Sequence, residues 1–278
     1  MEIHAVLINM RRSRDRMAFQ QEQLTRLGIR FERLEAVAGE SIPDAEFRRR
    51  SQQWQRPLTR GEVACFLSHR VAWQRVVDEQ RPMLILEDDA VLSDKVVAVL
   101  EGLTPTSDSL IYNLETGRGR KLVSRRTTGS LPLGHSIVKI HRDTGGSAAY
   151  VITPKAAEIC LKRAVHHTAQ ADAFVNVMPR VQIEPGLAVQ MVMLEGMVEG
   201  EMRATAVSTI VRDPLESSTL HKLVRRPRMK LRRLAANLYI IGLQLATLGR
   251  AQKRAVPYCP SIAAAANSKP QRQFGAAG

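Results

Sequence analysis

The sequence predicts an α/β protein in which a central sheet is flanked by helices. Short apolar runs alternate with stretches of helical periodicity through the first half of the chain. Helix-ending residues fall between them, with Gly28 after the first helical stretch and Arg81-Pro82 after the second. A chain of 278 residues is long enough to bury one substantial core. The second half is expected to be more irregular, and it carries no internal repeat.

The individual elements follow from these patterns. Strands are predicted at residues 3–9, 29–37, 83–86, 109–114, 136–140 and 148–153. Helices are predicted at residues 15–27, 59–80 and 155–165. The second helix begins with a capping box of Thr59 and Glu62, and the third begins at Pro154, which suits a first helical turn.

Positive charge is concentrated at the carboxyl end of the chain. The formal net charge is +14, yet residues 217–278 contain 12 Lys and Arg and no Asp or Glu. Removing these 12 from a total of 41 leaves 29 basic against 27 acidic residues in residues 1–216. We therefore expect a nearly neutral domain over 1–216, a basic amphipathic helix over 217–254 and a disordered tail over 255–278.

The basic segment carries an apolar helical stripe, which we call the leucine stripe. Its members recur at spacings of three and four: Leu231, Leu234, Leu238, Ile241, Leu245 and Leu248. The apolar stretch is too short to span a bilayer. Flanked by Lys and Arg, it predicts a helix that lies on an anionic membrane surface. A helix packed on the core and a dimer seam are the alternative interpretations.

The cysteines and the N-terminal residues indicate the cellular compartment in which the protein is expected. Cys65, Cys160 and Cys259 are far apart and match no zinc or redox spacing, which fits a reducing cytosol. The first residues, MEIHAVLINMRR, lack the long apolar core of a signal peptide. These observations favour a cytoplasmic protein.

An acidic triplet ends the strand at residues 83–86. Glu87, Asp88 and Asp89 follow the apolar run directly, at the end of a strand where open α/β sheets bind ligands. Adjacent carboxylates repel one another unless a cation lies between them. Glu87 and Asp89, with Asp88 close by, are therefore candidate ligands of Mn²⁺ or Mg²⁺. A strand end followed by a helix cap remains the structural alternative.

Several motifs in one order resemble the family 25 glycosyltransferases. They are INMRRSRDR (8–16), LTRGEVACFLSHRVAW (58–73), MLILEDDAVL (83–92), NLET (113–116), GGSAAYVIT (145–153), ADAFV (171–175) and PGLAVQ (185–190). The resemblance covers about residues 3–235, with one departure at Arg11, where the family has an acid. It implies a GT-A-like fold, in which a Rossmann-type sheet binds a nucleotide, and a hexose donor such as UDP-galactose.

The resemblance also implies roles for individual residues. The acidic triplet would hold a divalent cation on the donor diphosphate. Asp172 is our candidate for the base of an inverting transferase, and Glu115 is the second catalytic candidate. Residues expected to bind substrate are Asn9, Arg12, Arg16, Ser68, His69, Gly146 and Gln190.

The expected acceptor is a lipooligosaccharide, a lipopolysaccharide or another cell-envelope glycan at the inner face of the inner membrane. One alternative is a catalytically impaired relative that acts as a membrane-associated scaffold, which the departure at Arg11 leaves open. A basic-tailed nucleic-acid-binding protein is disfavoured because residues 1–216 lack a basic surplus. A phosphatase with an Asp nucleophile is disfavoured because Glu87 occupies the first acidic position.

Overall fold

The structure is a computed structural model that describes residues 2–104, 110–117, 119–143, 145–194 and 227–262. The strands are β1 (His4–Asn9), β2 (Arg30–Glu35), β3 (Met83–Glu87), β4 (Ala90–Leu92), β5 (Ile111–Asn113), β6 (Arg120–Ser130), β7 (Ser136–Arg142), β8 (Ala149–Ile152), β9 (Arg180–Glu184), β10 (Ala188–Gln190) and β11 (Ala251–Ala255). The helices are α1 (Arg14–Arg26), α2 (Asp44–Ser51), α3 (Arg60–Glu79), α4 (Val96–Glu101), α5 (Pro154–Ala164), α6 (Ala171–Val175) and α7 (Pro227–Ala246).

Nine of these strands form one mixed sheet, in the order β11-β6-β7-β9-β5-β8-β3-β1-β2. β1 pairs in parallel with both β2 and β3, as strands joined by helical crossovers do. β8 runs antiparallel to β3 and β5, and the strands from β9 to β11 extend the sheet through mostly antiparallel pairs. The predicted class, an α/β sheet flanked by helices, is confirmed.

The central strands are buried on both faces, which explains their continuous apolar runs. In β1, Ala5 and Leu7 belong to the core beneath α1 and α4, whereas Val6 and Ile8 belong to the core beneath α3, α5 and α6. All four side chains are buried. The sheet therefore separates two apolar layers, and the polar residues at its strand ends are the ones that reach a common edge.

Helix α3 begins at the predicted capping box. The Thr59 hydroxyl accepts a hydrogen bond from the Glu62 amide at 3.2 Å, and the Glu62 carboxylate accepts one from the Thr59 amide at 3.0 Å. The helix ends before Gln80, whose φ of 50° is left-handed. This start places Cys65, Ser68 and His69 on turns that face the sheet.

Five strands were missed from the sequence, namely β4, β6, β9, β10 and β11, and two of them, β6 and β11, are basic. β6 contains four basic residues and is largely exposed beyond Val123, so it lacks the apolar alternation that identifies a strand. β11 is short and basic, and it pairs antiparallel with β6 at the edge of the sheet. Both strands form because a neighbouring strand offers its backbone, not because of an apolar pattern of their own.

The segment that begins with β11 corrects our expectation of a disordered tail from residue 255. Val256, Cys259 and Ile262 are buried, and the Gly186 amide donates to the Pro257 carbonyl at 2.8 Å. We call residues 251–262 the C-terminal strap. The rest of the expected tail, 263–278, and residues 217–226 of the expected basic segment lie outside the described residues.

Helix α7 presents the leucine stripe to solvent. Met229 is its only buried residue, whereas Leu231, Leu238 and Leu245 are 60–67% exposed. None of the helices in the described ranges combines the length and the apolar character needed to cross a membrane.

Candidate active site

A cleft of about 410 Å³ opens at the edge where β3 and β5 end. Its lining comes from α3, from the end of β3, from the loops after β5 and β7, from β6, from α6 and from the end of β10. Five residues that the sequence singled out line this cleft: Glu87, Glu115, Gly146, Asp172 and Gln190. The structure therefore brings together residues that are more than 100 positions apart in the chain.

Glu87 lies at the end of β3 with its carboxylate held from one side. Its Oε1 accepts hydrogen bonds from His69 Nε2 at 3.2 Å and from Ser147 Oγ at 2.7 Å. Burial alone would raise the pKa of Glu87, but these hydrogen bonds and the charge of Arg16 outweigh burial and hold the pKa below its ordinary value. Glu87 is therefore an ionised carboxylate whose orientation is fixed.

His69 is fully buried and owes its orientation to Tyr150. Trp73 Nε1 donates to the Tyr150 hydroxyl at 2.9 Å, and this hydroxyl lies 2.9 Å from His69 Nδ1. Burial raises the pKa of Tyr150 well above its ordinary value, so the phenol keeps its proton and donates it to Nδ1. With Nδ1 accepting from Tyr150, Nε2 carries a ring hydrogen and donates it to Glu87. His69 thus acts through Glu87, behind the wall of the cleft.

Asp88 points away from the cleft. Its two oxygens accept hydrogen bonds from Asn9 Nδ2 and Arg16 Nη1, each at 2.8 Å. Asn9 also accepts a hydrogen bond from Arg33 at 3.0 Å. In this arrangement Asp88, Asn9 and Arg16 form a buried polar cluster that joins the end of β1 and the first turn of α1 to the loop after β3. This placement differs from the predicted metal and substrate contacts of these three residues.

Asp89 lacks a partner on one of its oxygens. Oδ1 is buried and accepts no hydrogen bond within the described residues, and Oδ2 lies 3.8 Å from Arg16 Nη1. Burial and the negative charge of Glu87 raise the pKa of Asp89 to about 7. A buried carboxylate oxygen without a partner is the feature expected of a cation ligand.

Glu115 and Gly146 form one side of the cleft. The Ala148 amide donates to Glu115 Oε2 at 2.7 Å, and burial raises the pKa of Glu115 to about 8. Gly146 has a φ of +100°, which favours glycine, and a Cβ at this position would lie 3.5 Å from Glu115 Oε2. The missing side chain leaves the Glu115 carboxyl group open to the cleft.

Asp172 begins the short helix α6 and also lines the cleft. The Ala173 amide donates to its Oδ1 at 2.6 Å, and burial raises the pKa of Asp172. Glu62 lies in the same wall but is already engaged, because Arg56, Gln170 and the Thr59 amide all donate to it. Asp172 is therefore better suited than Glu62 to take up a proton.

The remaining predicted residues lie at the margin or behind the cleft. Ser68 accepts from the Val37 amide at 2.9 Å and donates to the Ala64 carbonyl at 2.9 Å, so it joins α3 to the loop after β2. Arg12 is exposed on the loop after β1. Gln190 lies half-buried at the end of β10.

A buried ion network in the wall of the cleft was missed from the sequence. Lys121 Nζ lies 2.8 Å from Asp143, and Arg180 lies 3.2 Å from the same carboxylate. Lys121 also donates to Gln182 at 2.7 Å. These residues come from β6, the end of β7 and β9, and the absence of β6 from our prediction concealed the network.

Comparison with known proteins identifies the family. The family model for "Glycosyltransferase family 25 (LPS biosynthesis protein)" matches residues 2–175, which is more than half of the chain. The chain belongs to glycosyltransferase family 25. The lipooligosaccharide biosynthesis protein lic2B of Haemophilus influenzae is 32% identical over 147 residues, which cover 48% of this chain and 55% of the relative.

A second curated relative and one solved structure are also similar to this chain. Procollagen galactosyltransferase 2 of Homo sapiens is 34% identical over 93 residues, which cover 30% of this chain and 15% of the human protein. The structure of a glycosyltransferase involved in glycosylation of the major capsid of PBCV-1 matches 58% of this chain and 66% of that one, at 13% identity and a TM-score of 0.32. This family 25 chain thus spans about half, or less, of the length of these curated relatives.

The family match covers most of the cleft of this family 25 protein. Glu87, Glu115, Gly146 and Asp172 fall inside the matched range, and Gln190 falls outside it. The C-terminal strap and α7 are also outside the match, so their roles are inferred from the structure alone.

Proposed function

We propose that this family 25 protein transfers a hexose from a nucleotide-sugar donor to a cell-envelope glycan, with UDP-galactose as the first donor to test. The observation that supports this most is the single cleft that contains Glu87, Glu115 and Asp172. It unites one ionised carboxylate with two carboxyl groups of raised pKa. The relatives named for lipooligosaccharide biosynthesis and for galactosyl transfer support the class of acceptor and sugar.

The donor set at the end of β3 fits a hard divalent cation such as Mn²⁺ or Mg²⁺. Glu87 Oε1 already receives two hydrogen bonds and none reaches Oε2 within the described residues, while Asp89 Oδ1 has no partner. Oxygen ligands of this kind suit hard cations. A bound cation would stabilise the negative charge that develops on the departing diphosphate. Glu87 and Asp89 are the ligands that we propose, since both oxygens of Asp88 are occupied by Asn9 and Arg16.

Asp172 is the proposed general base. An inverting transfer requires a group that accepts the proton of the acceptor hydroxyl as this hydroxyl attacks the sugar. Burial raises the pKa of Asp172, which makes its carboxylate a better proton acceptor. Glu115, with a pKa of about 8, is mostly protonated at neutral pH and is therefore proposed to donate a hydrogen bond to a sugar hydroxyl.

A donor screen tests the proposal. The purified chain is incubated with a panel of nucleotide sugars, with and without Mn²⁺, and transfer and hydrolysis are followed by mass spectrometry. We expect Asp172→Asn to bind the donor as the wild type does while turnover falls at least about 100-fold. Asp94→Asn, at an exposed position outside the cleft, is the matched control and should retain wild-type rates.

The outcomes separate the alternatives. Donor binding without turnover in the wild type would favour the scaffold interpretation, and neither binding nor turnover for any donor would refute the enzyme. Wild-type turnover in Asp172→Asn would remove Asp172 from the role of base.

We further propose that α7 places the protein on an anionic membrane at the cytoplasmic face. The leucine stripe is exposed, and basic residues lie on and beside the same helix: Arg228, Lys230, Arg232, Arg233 and Arg250. Each basic side chain near an anionic surface contributes about 1 kcal/mol. Co-sedimentation with vesicles that contain anionic lipid tests this, with neutral vesicles as the control. Binding to nucleic acid but not to vesicles would contradict it.

A further inference from the structure

Cys65, His69 and Glu87 form a compact cluster of three different donor groups. Cys65 and His69 are one turn apart on α3, and Glu87 approaches from the end of β3. One sulfur, one nitrogen and one oxygen of these residues all lie within 4.8 Å of one another. Cys65 and Glu87 line the cleft, so a solute can reach the cluster from the cleft side.

The donor set differs in chemistry from the carboxylates at Glu87 and Asp89. Thiolate and imidazole ligands select zinc-like cations, whereas Mn²⁺ and Mg²⁺ prefer oxygen. A tetrahedral Zn²⁺ with bonds of about 2.0–2.1 Å to nitrogen and oxygen keeps these two ligand atoms about 3.3 Å apart. His69 Nε2 and Glu87 Oε1 are already 3.2 Å apart. The Cys65 sulfur lies within 4.8 Å of both atoms.

We propose that Cys65, His69 and Glu87 bind Zn²⁺ or a similar thiophilic cation, and that this ion inhibits the enzyme by taking Glu87 away from the hard cation. The fourth ligand is a water molecule or a substrate oxygen from the cleft. The binding site itself does not depend on the proposed function, whereas the inhibition rests on it.

The proton balance of this step can be written from the observed contacts. The Cys65 thiol proton is released to solvent when the sulfur binds the ion. When Nε2 of His69 binds the ion, the ring proton moves from Nε2 to Nδ1. Nδ1 then donates to the Tyr150 oxygen, which accepts hydrogen bonds from both His69 and Trp73. One proton is released in total. A metal-bound histidine commonly donates its second ring N–H to such a partner, and Tyr150 is already in place.

Cobalt is the direct probe, since Co²⁺ occupies zinc-type sites and a cobalt–thiolate bond gives an intense charge-transfer absorption. We expect the full chain titrated with Co²⁺ to develop this band, and Cys65→Ser to lack it. Cys160→Ala is the matched control, because Cys160 is buried in α5 within the core and should leave the band unchanged. No band in the wild type, or an equal band in Cys65→Ser, would overturn the site.

X-ray absorption on the zinc-loaded wild type gives a second reading that does not depend on the fold of any variant. One sulfur ligand at about 2.3 Å is expected, and coordination by nitrogen and oxygen alone would overturn the site.

Inhibition is measured separately, as transfer at saturating Mn²⁺ with increasing Zn²⁺. We expect Zn²⁺ to inhibit the wild type, excess Mn²⁺ to relieve the inhibition, and Cys65→Ser to require at least tenfold more Zn²⁺ relative to its own zinc-free rate. Equal inhibition of both proteins would overturn the inhibitory role. Failure of the donor screen with a positive cobalt band would refute the transferase and leave the metal site intact.

Discussion

Tyr150→Phe tests how the buried hydrogen bonds that connect Trp73, Tyr150, His69 and Glu87 affect the cleft. The substitution keeps the ring and removes one hydroxyl that contacts both Trp73 Nε1 and His69 Nδ1 at 2.9 Å. Both groups are fully buried, so each is left without a partner. An unpaired buried polar group costs about 1–3 kcal/mol, and we expect Tyr150→Phe to lower the free energy of unfolding by about 2–4 kcal/mol.

The functional effect comes from His69. Without the hydrogen bond from Tyr150 to Nδ1, the ring hydrogen of His69 is no longer confined to Nε2. In some of the molecules it lies on Nδ1, and the hydrogen bond from Nε2 to Glu87 is lost. A loss of about 1.4 kcal/mol at this contact corresponds to a tenfold change. We expect Mn²⁺ binding, measured by calorimetry, to weaken about tenfold and kcat to fall with it.

Trp73→Phe is the matched control. It removes the other hydrogen bond of Tyr150 and also destabilises the core, but the Tyr150 proton still reaches His69. A thermal melt is expected to show a lowered midpoint in both variants, at about 2–4 °C per kcal/mol for a chain of this size. Tyr150→Phe could keep wild-type Mn²⁺ affinity and kcat while its melting midpoint falls as in Trp73→Phe. In that case these hydrogen bonds stabilise the fold only, and our reasoning on His69 is refuted.

Three further outcomes follow from the same contacts. Glu115 is protonated in the fold up to a pKa of about 8, so folding takes up a proton and wild-type stability falls as pH rises from about 4.5 to about 8. Glu115→Gln should show a shallower fall in urea titrations across that range, with the part that Asp89 and Asp172 cause remaining, and a parallel pH dependence in both proteins would contradict the assignment. Ending the chain at residue 250 removes β11 and the buried side chains of Val256 and Ile262, and at about 1.5–3 kcal/mol for each side chain it should destabilise the domain by several kcal/mol in a thermal melt. A chain that ends at residue 262 keeps the contacts that the structure describes for the strap and is its control; equal melting of the two would show that the strap contributes nothing. Leu238→Asp and Leu245→Asp should each weaken binding to anionic vesicles without changing the melt, because both side chains are at least 60% exposed, and unchanged vesicle binding would remove the leucine stripe from the role.

The sequence was sufficient for six strands of the sheet, β1, β2, β3, β5, β7 and β8, and for three of the helices that cover them, α1, α3 and α5. The run at β3 and the capping box of α3 are local signals, and each sets the position of a site residue: Glu87 at the end of the strand, His69 two turns into the helix. The family resemblance supplied Glu115, Gly146 and Asp172, which no local pattern distinguishes from ordinary turn residues. The structure places all three in the cleft with Glu87.

Contacts between distant segments were beyond the reach of such signals. Asp88 is one residue from Glu87 in sequence, yet Asn9 and Arg16 occupy its oxygens because the end of β1 and the first turn of α1 meet the loop after β3 at the same edge. Lys121 looks like a surface residue in a basic stretch, and it is buried only because Asp143 and Gln182 meet it there. The contacts of Asp88 and Lys121 depend on which distant segments lie beside them in the fold. The residue pattern of a single segment does not contain that information.

The position of α7 links the proposed membrane surface to the cleft. Arg232 donates to the Gln52 carbonyl at 2.7 Å near the start of the helix, beside the segment that carries Arg56 and leads to Glu62. After the helix, β11 pairs antiparallel with β6, and its backbone at Arg254 lies opposite that of Lys121. The helix is therefore attached at both ends to segments that line or support the cleft.

The C-terminal strap completes this connection. Thr116 donates to the Val256 carbonyl at 2.6 Å, one residue after Glu115. Gly186 lies against Thr116 with no room for a Cβ, since this atom would approach the Thr116 side chain to 2.6 Å. A helix bound to lipid and held in this way fixes the orientation of the cleft relative to the membrane, which suits a glycan acceptor anchored in the same surface. A flexibly tethered anchor would raise the local concentration of the enzyme without orienting it.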